Sequence, residues 1–402
     1  MNMATQGVTT ALPRLRFPEF RKMASWPIVP LERIAARIST KNSNGQVTRV
    51  LTNSAEFGVL DQRDYFDKDI ATAGKVDGYY VVSKGDYVYN PRTSAIAPVG
   101  PISRNNLGEG VMSPLYTVFR FFEEKTDFYE HYFKSSGWHS YLRSAASTGA
   151  RHDRMSITAG TFLRIPVPSP SREEQQKIAD CLTSLDDVIS VQRRKVEALK
   201  THKRGLMQQL FPLEGEALPR LRFPEFRDAP EWETKRLDSV APLQRGFDLP
   251  SGELKYGTVP VVYSNGVRGY HKVGMARGPG LVTGRSGTIG NMHYIDGGEY
   301  WPHNTSLWVT TFKGHDPKFV YFLYAAIGLE RFASGSGVPT LNRNDVHTFE
   351  TRVPGAVAEQ KRIADCLTSL DTQIIAESTK LAALKTHKQG LMQQLFPARG
   401  AG

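Results

Sequence analysis

The chain has 402 residues, 40% of them apolar and 10% aromatic, which is enough for two or three folded domains and excludes a disordered chain. Lys and Arg number 51 against 40 Asp and Glu, a net charge of +11 that points to a polyanionic partner such as nucleic acid. Two cysteines, Cys181 and Cys366, exclude a disulfide scaffold and a Cys-rich zinc site. No run approaches the roughly 18 uninterrupted apolar residues of a membrane span, and the first residues lack a signal-peptide core, so a cytoplasmic location and no membrane partner are expected.

The chain opens with LPRLRFPEFR at 12–21. A long segment, 22–170, follows and reads as mixed α/β. Aromatic and β-branched runs such as GYYVV (78–82) and DYVYN (86–90) predict strands, and SKGD (83–86) predicts the turn between them. DFYEHYFKSSGWHSYLRSA (127–145) predicts one helix, and IPVPSP (165–170) an extended exit. Ser171 to Glu174 fits the S-x-x-E capping box that opens a helix. From there Ile178, Leu182, Leu185, Ile189, Val196, Leu199, Leu206 and Leu210 recur with a 3.5-residue period, once Gln192 and Lys203 are counted as polar members of the seam. That period marks a coiled coil, about 37 residues or roughly 55 Å long, closed by Pro212.

The pattern then repeats. LPRLRFPEFR recurs identically at 218–227, an offset of 206 residues, whereas IADCLTSLD, ALKTHK and LMQQLFP recur at an offset of 185. The second variable segment, 228–355, again predicts strands at VPVVY (259–263) and LVTG (281–284), a turn at SNGV (264–267) and a helix over 317–333. Arg92-Thr-Ser-Ala-Ile96 resembles Arg285-Ser-Gly-Thr-Ile289, and Leu115-Tyr116 resembles Leu307-Trp308. The second long helix carries Ile363, Leu367, Leu370, Ile374, Leu381, Leu384, Leu391 and Leu395, with Glu377 and Lys388 as its polar seam members. Each helix is acidic first and basic last, so antiparallel pairing sets acid beside base. The same asymmetry also suits each helix dipole. The expected fold class is α+β. Two mixed α/β domains are separated by two long helices that form an antiparallel coiled coil, with pseudo-twofold symmetry. The expected limits are 1–171 and 213–356 for the domains, 172–212 for the first helix and 357–402 for the second helix and tail.

The two helices, EEQQKIADCLTSLDDVI…LKTHKRGLMQQLFP and AEQKRIADCLTSLDTQI…LKTHKQGLMQQLFP, together with GDYVYN (85–90), TGRSGTIG (283–290) and SGSGVPTLNRNDV (334–346), resemble the specificity subunits of type I restriction–modification systems. The resemblance covers essentially the whole chain. It implies a non-catalytic subunit with two target-recognition domains, each reading one half of a bipartite site in double-stranded DNA. The helices would set the spacer and dock two modification subunits. Those partners would carry S-adenosylmethionine and methylate adenine, and restriction subunits using ATP and magnesium would join where present. No cofactor is expected on this chain.

The catalytic alternatives find little in the sequence. Asn90-Pro91-Arg92-Thr93 lacks the second proline and the aromatic of an adenine-methylating N/D-P-P-Y/F/W motif and reads as a strand end and turn. No G-x-x-x-x-G-K-[ST] and no histidine pattern of metal spacing is present. Gly284, Gly287 and Gly290 read as a glycine turn that brings Arg285 against DNA, or as a purely structural turn. Cys181 and Cys366, each beside a seam leucine, read as packing residues. The residues singled out for DNA contact are Arg92, Ser94 and Arg151 in the first domain and Arg285, Ser286, Asn342 and Arg343 in the second, with Tyr89 and Tyr263 as loop supports. Arginine grips guanine O6 and N7 bidentately and asparagine does the same for adenine N6 and N7, although either can instead hold phosphate. A self-contained DNA methyltransferase or endonuclease on the same scaffold, and a coiled-coil adaptor without DNA function, are the competing readings.

Overall fold

The computed structural model describes residues 9–65, 76–146, 153–250, 252, 254, 256–335 and 338–397. Two long helices dominate, Arg172–Leu210 and Val357–Leu395, each of 39 residues. The chain divides into two compact units, one of Met1–Val191 with Leu381–Gly402, the other of Gln192–Lys380. Each long helix therefore contributes one half to each unit.

In the first unit, the start of the first helix and the end of the second lie side by side and antiparallel. Ile178, Ala179, Leu182, Met392, Leu395 and Phe396 join one buried core, and Lys388 ion-pairs with Asp186. In the second unit the partners are exchanged. Leu210 and Phe211 share a core with Ile363, Ala364 and Leu367, and Lys203 ion-pairs with Asp371 at 2.6 Å. The acid-to-base matching expected from the sequence is thus met within each unit. The seam residue Gln192 is buried and donates through Nε2 to the Glu377 carboxylate at 2.6 Å. Hydrogen bonds from Lys195 first, and then from Gln192, hold the Glu377 carboxyl below its ordinary pKa. Cys181 and Cys366 are half-buried and unbridged.

The main sheets of the two units share one topology. A four-stranded antiparallel sheet runs in spatial order Ala35–Ile38, Thr117–Phe121, Tyr87–Tyr89, Ile102–Arg104 in the first. The second has Leu243–Arg245, Ser306–Val309, Gly280–Gly284, Met292–Ile295 in the same order. A further pairing, Trp26–Pro30 with Pro166–Pro168, recurs as Glu233–Arg236 with Glu350–Val353. Behind the main sheet, strand pairs Leu51–Ser54/Gly58–Asp61 and Tyr80–Val82/Gly110–Met112 cover Val88 and Val118. In the second unit a four-stranded sheet of Gly266–His271, Val259–Tyr263, Glu299–Pro302 and Ala276–Arg277 covers Val282.

Three details differ from the sequence reading. The helix expected over 127–145 is two, Asp127–Phe133 and His139–Ala145, because the chain turns at Gly137, where a Cβ would lie 3.2 Å from the Pro397 carbonyl. The helix expected over 317–333 is Pro317–Ile327, ended by Gly328 at φ +72°, then a 3-10 turn over Leu329–Phe332. Leu115 and Tyr116 lie in the turn before a strand, whereas Leu307 and Trp308 lie inside one, so that pairing is out of register.

The repeated decapeptide is the joint between domain and helices. In the first unit, Arg16 donates through Nε and Nη2 to both oxygens of Glu174 at 2.7 Å, and Trp26 Nε1 donates to the same carboxylate at 2.9 Å. In the second, Arg222 grips Glu359 at 2.8 Å through both nitrogens and Trp232 Nε1 adds a third bond at 3.1 Å. The rims match too: Glu19 pairs with Lys177 at 3.3 Å and Glu225 with Arg362 at 2.9 Å. The backbone N–H of Leu15 donates to Gln394 O at 3.0 Å, and that of Leu221 to Gln209 O at 2.9 Å. Each decapeptide is therefore tied both to the end of one long helix and to the start of the other. The Glu174 carboxylate does not reach back to close the expected capping box. Only the Ser171 half forms, with Oγ accepting the Glu174 N–H at 3.3 Å.

Candidate nucleic-acid interface

The second unit contains a cleft of about 690 Å³ with a basic lining. One wall is the end of strand Leu243–Arg245 and the turn after it, Gly246-Phe247-Asp248. Gly246 is required there, since a Cβ would meet the His303 carbonyl oxygen at 2.2 Å. The other wall joins two segments far apart in sequence. Arg285 follows strand Gly280–Gly284, and Gly284 lets the loop fold back, because a Cβ would meet the Thr288 carbonyl oxygen at 1.7 Å. The Arg285 carbonyl accepts the Leu341 N–H at 2.8 Å, Gly287 N–H donates to Pro339 O at 3.1 Å, and Ser286 bridges to Thr340. This zipper carries Asn342 and Arg343 to the same cleft.

Arg285, Asn342 and Arg343 are thus brought together, with Ser286 on the adjoining backbone. Arg285 is half-buried and donates to Asn304 O at 3.2 Å, whereas Arg343 is exposed. Asn342 has a structural task as well: its Oδ1 accepts the Asn344 N–H at 3.0 Å and caps the short helix Arg343–His347. One lone pair of the amide oxygen is therefore already engaged. His347 fixes that helix to the opposite wall, its Nε2 accepting the Leu243 N–H at 2.9 Å. Burial lowers its pKa, which keeps the accepting nitrogen free of a proton. Gln244, Arg245 and Asp248 also line the cleft and escaped the sequence reading. Gln244 and Arg245 lie in a three-residue strand and Asp248 in the turn after it, which is too short a stretch to show a periodic pattern.

The first unit builds the equivalent loop similarly. Thr93 N–H donates to Asp153 O at 2.9 Å, Met155 N–H to Pro91 O at 2.9 Å, and Arg92 bridges to Arg154. Arg92 and Ser94 are both exposed in it, with the Arg92 guanidinium 3.8 Å from the Asp153 carboxylate and Ser94 Oγ accepting the Ala97 N–H at 3.2 Å. Arg154, beside Arg92, was not foreseen. Arg151 lies outside the described residues, as does His152. Tyr89 is a core residue, stacked on Phe162 at 4.5 Å and bonded through its hydroxyl to Val99 O at 3.0 Å. Tyr263 stacks on His303 at 3.9 Å. His315 and Asp316 serve the fold: Gln360 Nε2 lies 2.9 Å from His315 Nδ1, and Asp316 caps a helix by accepting the Phe319 N–H at 2.8 Å.

Among the described residues, no group of three or more His, Cys, Asp or Glu is placed to hold a metal ion, and no helix is long and apolar enough to cross a membrane.

The sequence model of the type I restriction modification DNA specificity domain matches residues 64–201 and again 230–386. The chain belongs to this family. It is a type I specificity subunit with two target-recognition domains, the DNA-recognition and non-catalytic part of such a system. Among curated proteins, it is 22% identical over 290 residues to the type I restriction enzyme MjaVIII specificity subunit of Methanocaldococcus jannaschii, covering 65% of this chain and 67% of that one. Over 142 residues it is 25% identical to the MjaIX specificity subunit of the same organism, covering 34% of this chain and 32% of that one. Among solved structures, the S subunit of a type I system from M. genitalium superposes with a TM-score of 0.60 at 14% identity, covering 96% of this chain and 99% of that one. A chain from a study of complex assembly and conformational transition of the type I R-M system gives a TM-score of 0.56 at 16% identity, covering 92% and 97%. At these identities the structural likeness speaks for the fold alone.

Proposed function

We propose that each recognition domain of this specificity subunit reads one short block of a bipartite target in double-stranded DNA. The contacts come from the Arg92–Ser94 loop in the first domain and from Arg285, Ser286, Asn342 and Arg343 in the second. The long helices fix the number of unread base pairs between the blocks and dock two modification subunits. Those subunits bring S-adenosylmethionine and methylate adenine, and restriction subunits with ATP and magnesium join where the system has them. The complex works in the cytoplasm, where DNA is met.

The observation that carries this reading is the joint. The same Arg–Trp–Glu clamp mounts two domains with the same central sheet on the same pair of helices, while the loops that carry the candidate contacts differ. A scaffold repeated in detail with divergent loops suits a reader of two different sequences at a set distance.

The test is the methylated-adenine map of DNA from cells expressing the chain with its modification subunits. Two short blocks separated by a fixed unread run are expected. Adding one heptad to both helices, beside Gln192 and Glu377, extends each by about 10 Å while keeping the seam in phase. The unread run should grow by about three base pairs at 3.4 Å each, with the bases read unchanged. A contiguous target, or new bases at the old spacing, would contradict the reading.

A further inference from the structure

The second unit's cleft holds a residue of the wrong charge for a surface that meets phosphates. Arg245, Arg285 and Arg343 line it together with Asp248, the one carboxylate among its lining residues. Asp248 is 72% exposed and is not there for packing. Its Oδ1 is held by two donors, Arg245 Nη2 at 3.2 Å and the Asn304 amide. Asn304 is tied in turn, since its carbonyl accepts from Arg285. Among the described residues no hydrogen bond reaches Asp248 Oδ2. The carboxylate is thus oriented by one oxygen and offers the other as an acceptor.

We propose that Asp248 is a specificity-determining residue of the second domain, accepting a hydrogen bond from the exocyclic amino group of a base in the major groove. The inference rests on the DNA-reading function proposed above. The chemistry follows from the groove's donor and acceptor pattern. Cytosine N4 and adenine N6 present amino groups, whereas guanine O6 and thymine O4 present lone pairs. An ionised carboxylate accepts from the first pair and repels the second. It therefore rejects a wrong base as well as binding a right one, at some loss of affinity for the phosphate backbone. The arginines beside it supply the donors that guanine needs. Asp248 adds the complementary acceptor, so the cleft reads both kinds of base edge.

The device belongs to one domain. Strand Ala35–Ile38 holds the same place in the first unit's sheet as Leu243–Arg245 in the second. The turn after it reads Ser39-Thr40-Lys41-Asn42-Ser43-Asn44, with a lysine and no carboxylate.

The experiment is selection of bound duplexes from a randomised library by the full chain in complex with its modification subunits, for the wild type, D248A and D248N. In D248A one position of the second domain's block should lose its preference, admitting thymine for cytosine or guanine for adenine. Discrimination there should fall by about tenfold or more, and affinity for unrelated DNA should hold or rise. D248N, isosteric and able both to donate and to accept, should tolerate either base at that position. Its unchanged melting temperature would show that the fold is intact. Two results would overturn the inference. One is a D248A complex that selects the wild-type sequence at every position. The other is a uniform loss of affinity across all sequences, which would mean that Asp248 only positions Arg245. A wild-type complex that selects no bipartite sequence would instead count against the underlying function.

Discussion

The joint and the cleft of the second unit follow opposite rules. At the centre of the joint the charges are largely buried and paired: Glu359 accepts three bonds from Arg222 and Trp232 and is shielded from water. At the cleft the charges are more open to solvent, with Arg343 exposed and Arg245 paired with the exposed Asp248. The first unit repeats the joint residue for residue, through Arg16, Trp26 and Glu174, but not the cleft. A buried Arg–Glu pair with a shared Trp donor tolerates little change, because any missing partner strands a desolvated charge. An exposed loop can change its side chains at small cost to folding. The scaffold is therefore constrained by its own stability, and the proposed reading surface would be constrained by its ligand.

The largest effect should come from breaking the joint. Glu359→Ala leaves Arg222 buried without its carboxylate and should cost about 3–5 kcal/mol. Glu174→Ala should cost a similar amount, since its partners are the same. Urea unfolding of each variant checks this, and one change costing much less than the other would break the equivalence of the two joints.

A smaller effect should separate the units. His131 in the first unit is buried, its Nε2 bonded to Thr183 Oγ1 at 3.0 Å and its Nδ1 3.9 Å from Asp186. Burial, then Lys134 and Lys388, push its pKa from 6.5 down to about 4 against the opposing pull of Asp186 and Asp127. In the unfolded chain the ring takes its proton at the ordinary value, so the folded state loses ground as pH falls below 6.5 and the loss is complete near 4. The span amounts to at most about 3 kcal/mol. The corresponding helix position in the second unit is Phe322, buried beneath Lys203, which has no proton to gain in this range. His131→Gln should flatten that part of the profile, read as the difference in stability between wild type and variant from pH 7 to 4.

The smallest effect on stability should come from the cleft itself. Arg343→Ala removes an exposed side chain and should leave the melting temperature unchanged. Its DNA affinity should fall: uniformly, with about one unit less salt slope, if Arg343 holds a phosphate, or by about 1–3 kcal/mol at one base position if it grips guanine. Binding titrations at several salt concentrations distinguish the two.

Much of this was legible in the sequence. The 3.5-residue seam identified both helices, and their acid-first, base-last pattern anticipated the pairs Asp186–Lys388 and Asp371–Lys203. The identical decapeptides marked something shared, but not what they do. Arg16 and Glu174 are 158 residues apart, and no local pattern links them. Arg285 and Asn342 could be singled out by residue type and glycine context, yet their meeting depends on a backbone zipper between loops some fifty residues apart. The capping role of Asn342 and the acceptor at Asp248 were hidden for the same reason. Short turns and three-residue strands carry almost no periodic signal, so their side chains become visible only once the sheet is assembled.

The central claim is that two independent readers share one scaffold. The most direct test exchanges residues 22–170 for the corresponding segment of another family member, keeping both decapeptides and both helices, and maps methylated adenines in cells that also express the modification subunits. One block of the target should change, while the other block and the unread spacer stay as they were. Alteration of both blocks, or of neither, would contradict the account.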